Sequence, residues 1–139
     1  MIIITGGAGF IGSNLVAALE ETTDEPLVVC DWLEDGEKWQ NIAKRNLADI
    51  IDPAELFPFL EANVEDVKVI YHMGAISATT ETDGDLIIEN NFRLTMDLFN
   101  WCAENGVRLI YASSAATYGD GEQGFDDTNT AEALGKLKP

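Results

Sequence analysis

Residues 5–12 read TGGAGFIG, with glycines at 6, 9 and 12 between two apolar patterns of different period. Before them, MIIIT (1–5) is a β-branched run too short for a helix and bounded by glycine, the pattern of a buried strand. After them, Phe10, Ile11, Leu15 and Leu19 recur at helical spacing, so a helix is expected over 10–21. At such a junction Gly6 can make the tight turn and Gly9 lets the backbone approach a pyrophosphate. Gly12 allows the helix to pack closely on the sheet. The helix start then offers free N–H groups and the positive end of its dipole to phosphate. A glycine triplet also marks ordinary turns, so its weight comes from the acidic residue downstream. Asp31 ends the next strand-like run, PLVVCD (26–31), 19 residues after Gly12. That is close to the spacing of the acidic residue that holds an adenosine ribose. Together they imply a bound dinucleotide.

The ribose end leaves the cofactor's phosphate open. Asp31 points to NAD, because a carboxylate can bond the 2′-hydroxyl and repels a 2′-phosphate. Lys38 lies seven residues on, in DWLEDGEKWQN (31–41), where such a phosphate would sit. On spacing alone, a solvated surface lysine is an equally good reading. NLAD (46–49) reads as a short third strand with Asp49 at its end, near the adenine amine.

Further along, Asp52 followed by Pro53 has the form of an N-cap and first helical position, opening a helix to about Ala62. VKVIYHM (67–73) is a fourth strand. From Asp85 to Asn105 a pattern with Ile87, Asn91, Leu94, Leu98 and Cys102 reads as one helix, stopped by Gly106. VRLIYASS (107–114) is a fifth strand, and beyond Gly119 the pattern fades into the loop GDGEQGFDDTNT. Continuous apolar strands alternating with helices mean a parallel sheet covered on both faces. The expected fold is therefore α/β, a doubly wound parallel sheet of Rossmann type with about five strands, its ligand at the carboxyl ends.

Composition narrows the partners. Eight Lys and Arg against 25 Asp and Glu give a net charge of −17, which opposes nucleic acid or an anionic membrane as partner. No apolar run is long enough to span a bilayer, and the N-terminus lacks the charged start of a signal peptide. Cys30 and Cys102 lie in apolar segments without CxxC spacing and read as buried free thiols. His72 is the only histidine, which excludes a multi-histidine metal site, and no metal is expected. The cytoplasm is the natural compartment.

With the glycine loop, HMGAIS (72–77), ENNF (89–92) and YASSAATYG (111–119) in this order, the chain resembles the extended short-chain dehydrogenase/reductases. ISATTETDG (76–84) and GFDD (124–127) make it most similar, within them, to the ADP-glyceromanno-heptose 6-epimerases, and DWLEDGEKWQN supports this. The resemblance runs from Met1 to the end of the chain. It implies NADP as cofactor, with NAD as the alternative, and ADP-heptose as substrate on the way to lipopolysaccharide. By position it places Phe10 and Ile11 against the cofactor and Asp31, Trp32 and Lys38 at the adenosine end, with Lys38 on the 2′-phosphate. Gly74, Ala75, Ile76 and Ser77 fall beside the pyrophosphate, and Asn90 reaches toward the nicotinamide. Ser114, four residues before Tyr118, matches the catalytic serine, although a serine there can equally cap a strand end. Thr79 and Thr80 fall where substrate could pass or could cap the next helix. The chain departs from the family at Trp32, where similar proteins carry Asn, and at Pro53, where they carry a lysine.

The reaction the resemblance implies is transient oxidation at C6 of the heptose. Hydride leaves to the nicotinamide, the ketone turns, and hydride returns to the other face. A Tyr phenolate, lowered in pKa by a Lys four residues later, is the base, and the serine orients the oxygen. Four residues after Tyr71, Tyr111 and Tyr118 stand Ala75, Ala115 and Glu122, so that pair is absent. The resemblance puts it a few residues beyond KLKP (136–139), together with the sugar-binding portion. The expectation is thus an N-terminal cofactor-binding portion spanning 1–139, without turnover by itself. Its fifth strand is expected at an open sheet edge, which invites edge-to-edge dimerisation or a partner chain, and a homo-oligomer is expected. The competing readings are another nucleotide-sugar epimerase or a 4,6-dehydratase, and a non-catalytic nucleotide-binding module. Ala115 and Ala116 after Ser114 speak against the dehydratase, which carries acidic residues near that motif.

Overall fold

A computed structural model describes residues 1–77, 80–128 and 130–137, so Thr79 lies outside the described residues. Five strands form one parallel sheet: β1 (Ile2–Thr5), β2 (Leu27–Cys30), β3 (Asp49–Ile51), β4 (Val69–His72) and β5 (Arg108–Tyr111). Their spatial order is β3-β2-β1-β4-β5. Successive strands first step one way from β1 and then, at β4, the other. The carboxyl ends of β1 and β4 therefore border the crevice where a doubly wound sheet binds its ligand.

Period-two alternation sends the apolar residues of β1 and β2 to opposite faces, and both strands are buried on each side. Ile2, Ile4, Leu27 and Val29 pack with Val16 of helix α1 (Phe10–Thr22) on one face. Ile3, Val28, Cys30 and Ile70 pack on the other with Leu56 and Leu60 of α2 (Leu56–Ala62). Leu98, Trp101 and Cys102 of α4 (Leu94–Asn105) complete that layer. Trp101 Nε1–H donates to Glu61 at 2.7 Å, so the one polar atom of this large side chain is satisfied. Cys30 and Cys102 are buried free thiols as expected, and burial pushes them up to about 12 and about 11.

Asp52 caps as its position predicts, accepting from Ala54 N–H at 2.8 Å, and Pro53 begins a short 3₁₀ turn that runs into α2. Gly106 ends α4 in the left-handed conformation, φ +67. Two expectations change. The third strand begins at Asp49 instead of ending there, because the alternation that pairs it with β2 starts at Val28↔Asp49. The single helix expected over 85–105 is three segments: α3 (Gly84–Ile88), a π-helical turn (Glu89–Arg93) and α4. Past the expected loop GDGEQGFDDTNT comes a short helix, α5 (Ala131–Leu134), capped by Thr130. β5 is a sheet edge, with Ile110 and Tyr111 exposed.

Candidate functional site

A cavity of about 540 Å³ opens at the carboxyl ends of the strands, floored by the glycine loop. Gly6 has φ +66, and a Cβ there would meet Gly74 Cα at 2.6 Å, so the turn and the strand β4 exit touch backbone to backbone. A Cβ at Gly12 would stand 2.1 Å from Gly6 O. The close packing expected of Gly12 is therefore against the loop's own backbone, which folds the helix start back over the turn. Gly9 precedes the first turn of α1, which has no side-chain cap and no acidic residue. Its first N–H groups have no intrahelical acceptor and, with the helix dipole, make this end of the cavity a region of positive potential.

Two side chains from the segment after β2 hold the loop from both sides. Asp31 Oδ2 accepts from Ala8 N–H at 2.8 Å, and Asn41 Nδ2 donates to Ala8 O at 2.8 Å. Asp31 is buried, and its other oxygen is 2.5 Å from Lys38 Nζ, which also donates to Trp32 O at 3.2 Å. Each carboxylate oxygen keeps a second lone pair free for a ribose hydroxyl.

The opposite wall is the segment after β4. Thr5 Oγ1 lies 2.6 Å from His72 Nδ1 and accepts from Gly74 N–H at 3.3 Å. His72 Nε2 lies 3.0 Å from Thr95 Oγ1. One arrangement satisfies every atom: Thr5 donates to Nδ1, and Nε2–H donates to Thr95. His72 is thus a neutral, buried strut between β1, β4 and α4, and burial holds its pKa below the ordinary value. Asn91 completes the wall from the π turn, accepting from Ile76 N–H at 2.7 Å and donating to Ile76 O at 2.9 Å. π turns are rare and recur at functional sites, where the extra residue re-aims side chains. Here it sets Asn90 on the cavity and Asn91 on the loop.

Gly6, Gly9, Phe10, Ile11, Gly12, Asp31, Trp32, Lys38, Gly74, Ala75, Ile76, Ser77 and Asn90 all line this cavity. Asp49 does not. As the first residue of β3 it sits at the opposite end of that strand from the crevice, and Pro53 reaches the cavity in its place. Asn90 donates to Leu86 O at 2.8 Å, within its own helix. Ser114 lies outside the cavity lining and caps the 3₁₀ turn Ala115–Tyr118, accepting from Ala116 N–H at 3.2 Å. Sequence reading missed Asn41, Asn91, Thr5, Glu34 and the role of His72. The first four carried no signal, since asparagine, threonine and glutamate in loops and caps are common. Among the described residues no group of His, Cys, Asp and Glu could hold a metal ion, and no helix is long and apolar enough to cross a membrane.

The model of one protein family, described as the NAD dependent epimerase/dehydratase family, matches residues 2–139. The chain belongs to that family. Within it, the chain is 48% identical over 141 residues to an ADP-L-glycero-D-manno-heptose-6-epimerase of Fusobacterium nucleatum, covering 100% of this chain and 42% of the relative. An enzyme of the same name from Nitratidesulfovibrio vulgaris is 47% identical, with 43% of its length covered. The chain thus spans less than half the length of these relatives. Among solved structures, the Helicobacter pylori ADP-L-glycero-D-manno-heptose-6-epimerase superposes with a TM-score of 0.71 at 28% identity, over 85% of this chain and 40% of that one. A Bacillus cereus UDP-glucuronic acid 4-epimerase in complex with NAD gives 0.69 at 29% identity, over 86% and 41%. The resemblance read from the motifs is borne out, and so is the Rossmann-type parallel sheet.

Proposed function

We propose that this chain is the dinucleotide-holding portion of an epimerase that inverts C6 of ADP-D-glycero-D-manno-heptose, giving the L-glycero form. The observation that carries this is the cavity at the β1/β4 crevice, whose floor and two walls are built by the chain's own hydrogen bonds. Its shape and donors fit a nicotinamide dinucleotide: uncapped helix N–H groups for the pyrophosphate, Asp31 for the ribose, and the exposed side chains of Phe10 and Ile11 at the rim. When bound, that cofactor supplies a reversible hydride acceptor. The chain's own part is to bind it, hold its ribose through Asp31, and present Asn90 and Ser77 to the side where the sugar enters. Ser114 would orient the reacting oxygen, leaving its capping bond to Ala116 to do so.

The names of the closely similar relatives favour the heptose over other nucleotide sugars. In this reading the whole protein works in the cytoplasm as a homo-oligomer, with NAD or NADP as its cofactor. The test is to incubate the complete gene product with ADP-D-glycero-D-manno-heptose and follow the C6 configuration by proton NMR. Conversion without added cofactor turnover is expected. Failure to convert it, with epimerisation of a UDP-hexose instead, would move the protein to another substrate.

A further inference from the structure

The charges around the ribose end are unequal. Three ionisable side chains of that end line the cavity, Asp31, Glu34 and Lys38, and Lys38 is the only cationic residue among the described residues that line it. That cation is already engaged: its ammonium sits on the buried carboxylate of Asp31 and on Trp32 O. Glu34 has φ +51, the one residue other than glycine in the left-handed region among the described residues. A side-chain-bearing residue is strained there and is retained where the surroundings impose it. The turn so formed brings a second carboxylate to the cavity, and among the described residues no basic side chain pairs with it.

We propose that this site selects NAD over NADP, with Lys38 serving as the counter-ion that positions Asp31 for the 2′-hydroxyl and Glu34 repelling a 2′-phosphate. This rests on the dinucleotide reading above and reverses the NADP preference that the resemblance implies. A 2′-phosphate at Lys38 would have to share one ammonium with Asp31 and Trp32 O, and it would stand beside two carboxylates, the buried Asp31 and Glu34. A 2′-hydroxyl makes no such demand. It donates to a free lone pair of Asp31 while the Lys38 pair stays in place.

The two roles for Lys38 separate cleanly. A phosphate ligand matters to NADP alone, whereas a counter-ion for Asp31 matters to NAD. The experiment measures dissociation constants for NAD and NADP by calorimetry at low and moderate salt, using the complete gene product and its Glu34→Gln, Glu34→Lys and Lys38→Met variants. Thermal unfolding of each serves as the control for folding. The wild type is expected to bind NAD at least about tenfold more tightly than NADP, a gap of about 1.4 kcal/mol. Glu34→Gln should narrow that ratio several-fold through NADP, Glu34→Lys should close it, and salt should narrow it as well. Lys38→Met should weaken NAD. Tighter binding of NADP by the wild type, or a Lys38→Met change confined to NADP, would overturn the proposal. Glu34 is exposed, so its variants keep the test valid even if Lys38→Met unfolds. Binding of neither dinucleotide would overturn the cofactor reading itself, a different result from binding the two in the wrong order.

Discussion

The two flanks of the sheet are built to different standards. On the β2–β1–β4 side the loop and wall groups around the cavity are tied to partners within the chain, and the β1 and β2 strands are buried on both faces. On the β5 side the strand edge is open, Ile110 and Tyr111 are exposed, and Ser114 is held by bonds to its near neighbours, its Oγ accepting from Ala116 N–H and its carbonyl from Thr117 N–H. The first flank is a finished receptor. The second presents apolar surface and the serine proposed above to orient the reacting oxygen. The proposed dinucleotide site and the proposed role of Ser114 thus rest on different flanks.

Substitution can break the comparison most severely at Gly12. A Cβ there meets backbone at 2.1 Å, and neither the loop nor the helix can move away without losing the turn. Gly12→Val should lower stability by about 3 kcal/mol and abolish dinucleotide binding, as read by urea unfolding and calorimetry. Leu98→Ala, which empties a fully buried position between α4 and the sheet, should cost a similar ~3 kcal/mol. Phe125→Ala on the other flank should stay within about 0.5 kcal/mol, because Phe125 is 75% exposed. Equal losses at these two positions would refute the asymmetry.

The finished flank can be sharpened at its strut. Thr5→Val removes the acceptor of Gly74 N–H and the donor to His72 while keeping the volume, and should cost about 1–2 kcal/mol and weaken the dinucleotide. Thr5→Ser should restore most of both. A smaller effect comes from pH. Because burial lowers the His72 pKa in the folded state, the unfolded chain takes up the proton first as pH falls below its ordinary 6.5. Stability is full above that value and declines below it, and a His72→Asn variant should lose this part of the slope. Glu25, lowered to about 2 by Lys68 and the N-terminal ammonium, adds an acid-labile contribution only below its ordinary 4.5. The two windows can be resolved by unfolding titrations between them. The smallest change in stability should be Ser114→Ala, about 0.5 kcal/mol for an exposed cap, with dinucleotide affinity unchanged. A lost affinity there would tie the two flanks together.

What could be read from the sequence obeys the same division. Strands, the first helix and the glycine loop were legible because buried parallel strands are uniformly apolar and the turn demands glycine at 6 and 12. Asp31 was legible through its spacing. Asp49 was misplaced because a three-residue strand gives too little alternation to fix its start. The π turn was invisible, since Ile87, Asn91, Leu94 and Leu98 fit an ordinary helix equally well. Asn41 and Asn91 escaped because their work is to bond backbone atoms, which any loop asparagine can do. The ion pair of Lys38 with Asp31 was visible only as two charges seven residues apart.

The π turn at Glu89–Arg93 bears on how such a site could arise and be lost. One surplus residue within a helix turns everything before it by about 100° relative to the residues after it. Deleting a single codon in this stretch would leave a regular helix of nearly the same composition, yet Asn90 and Asn91 would swing away from the crevice and from Ile76. Point substitution moves one side chain at a time, and this length change would re-aim both asparagines in one step. In the history of the fold, then, a helix that ordinarily only covers the sheet could acquire its grip on the loop through one inserted amino acid, and surrender it as abruptly.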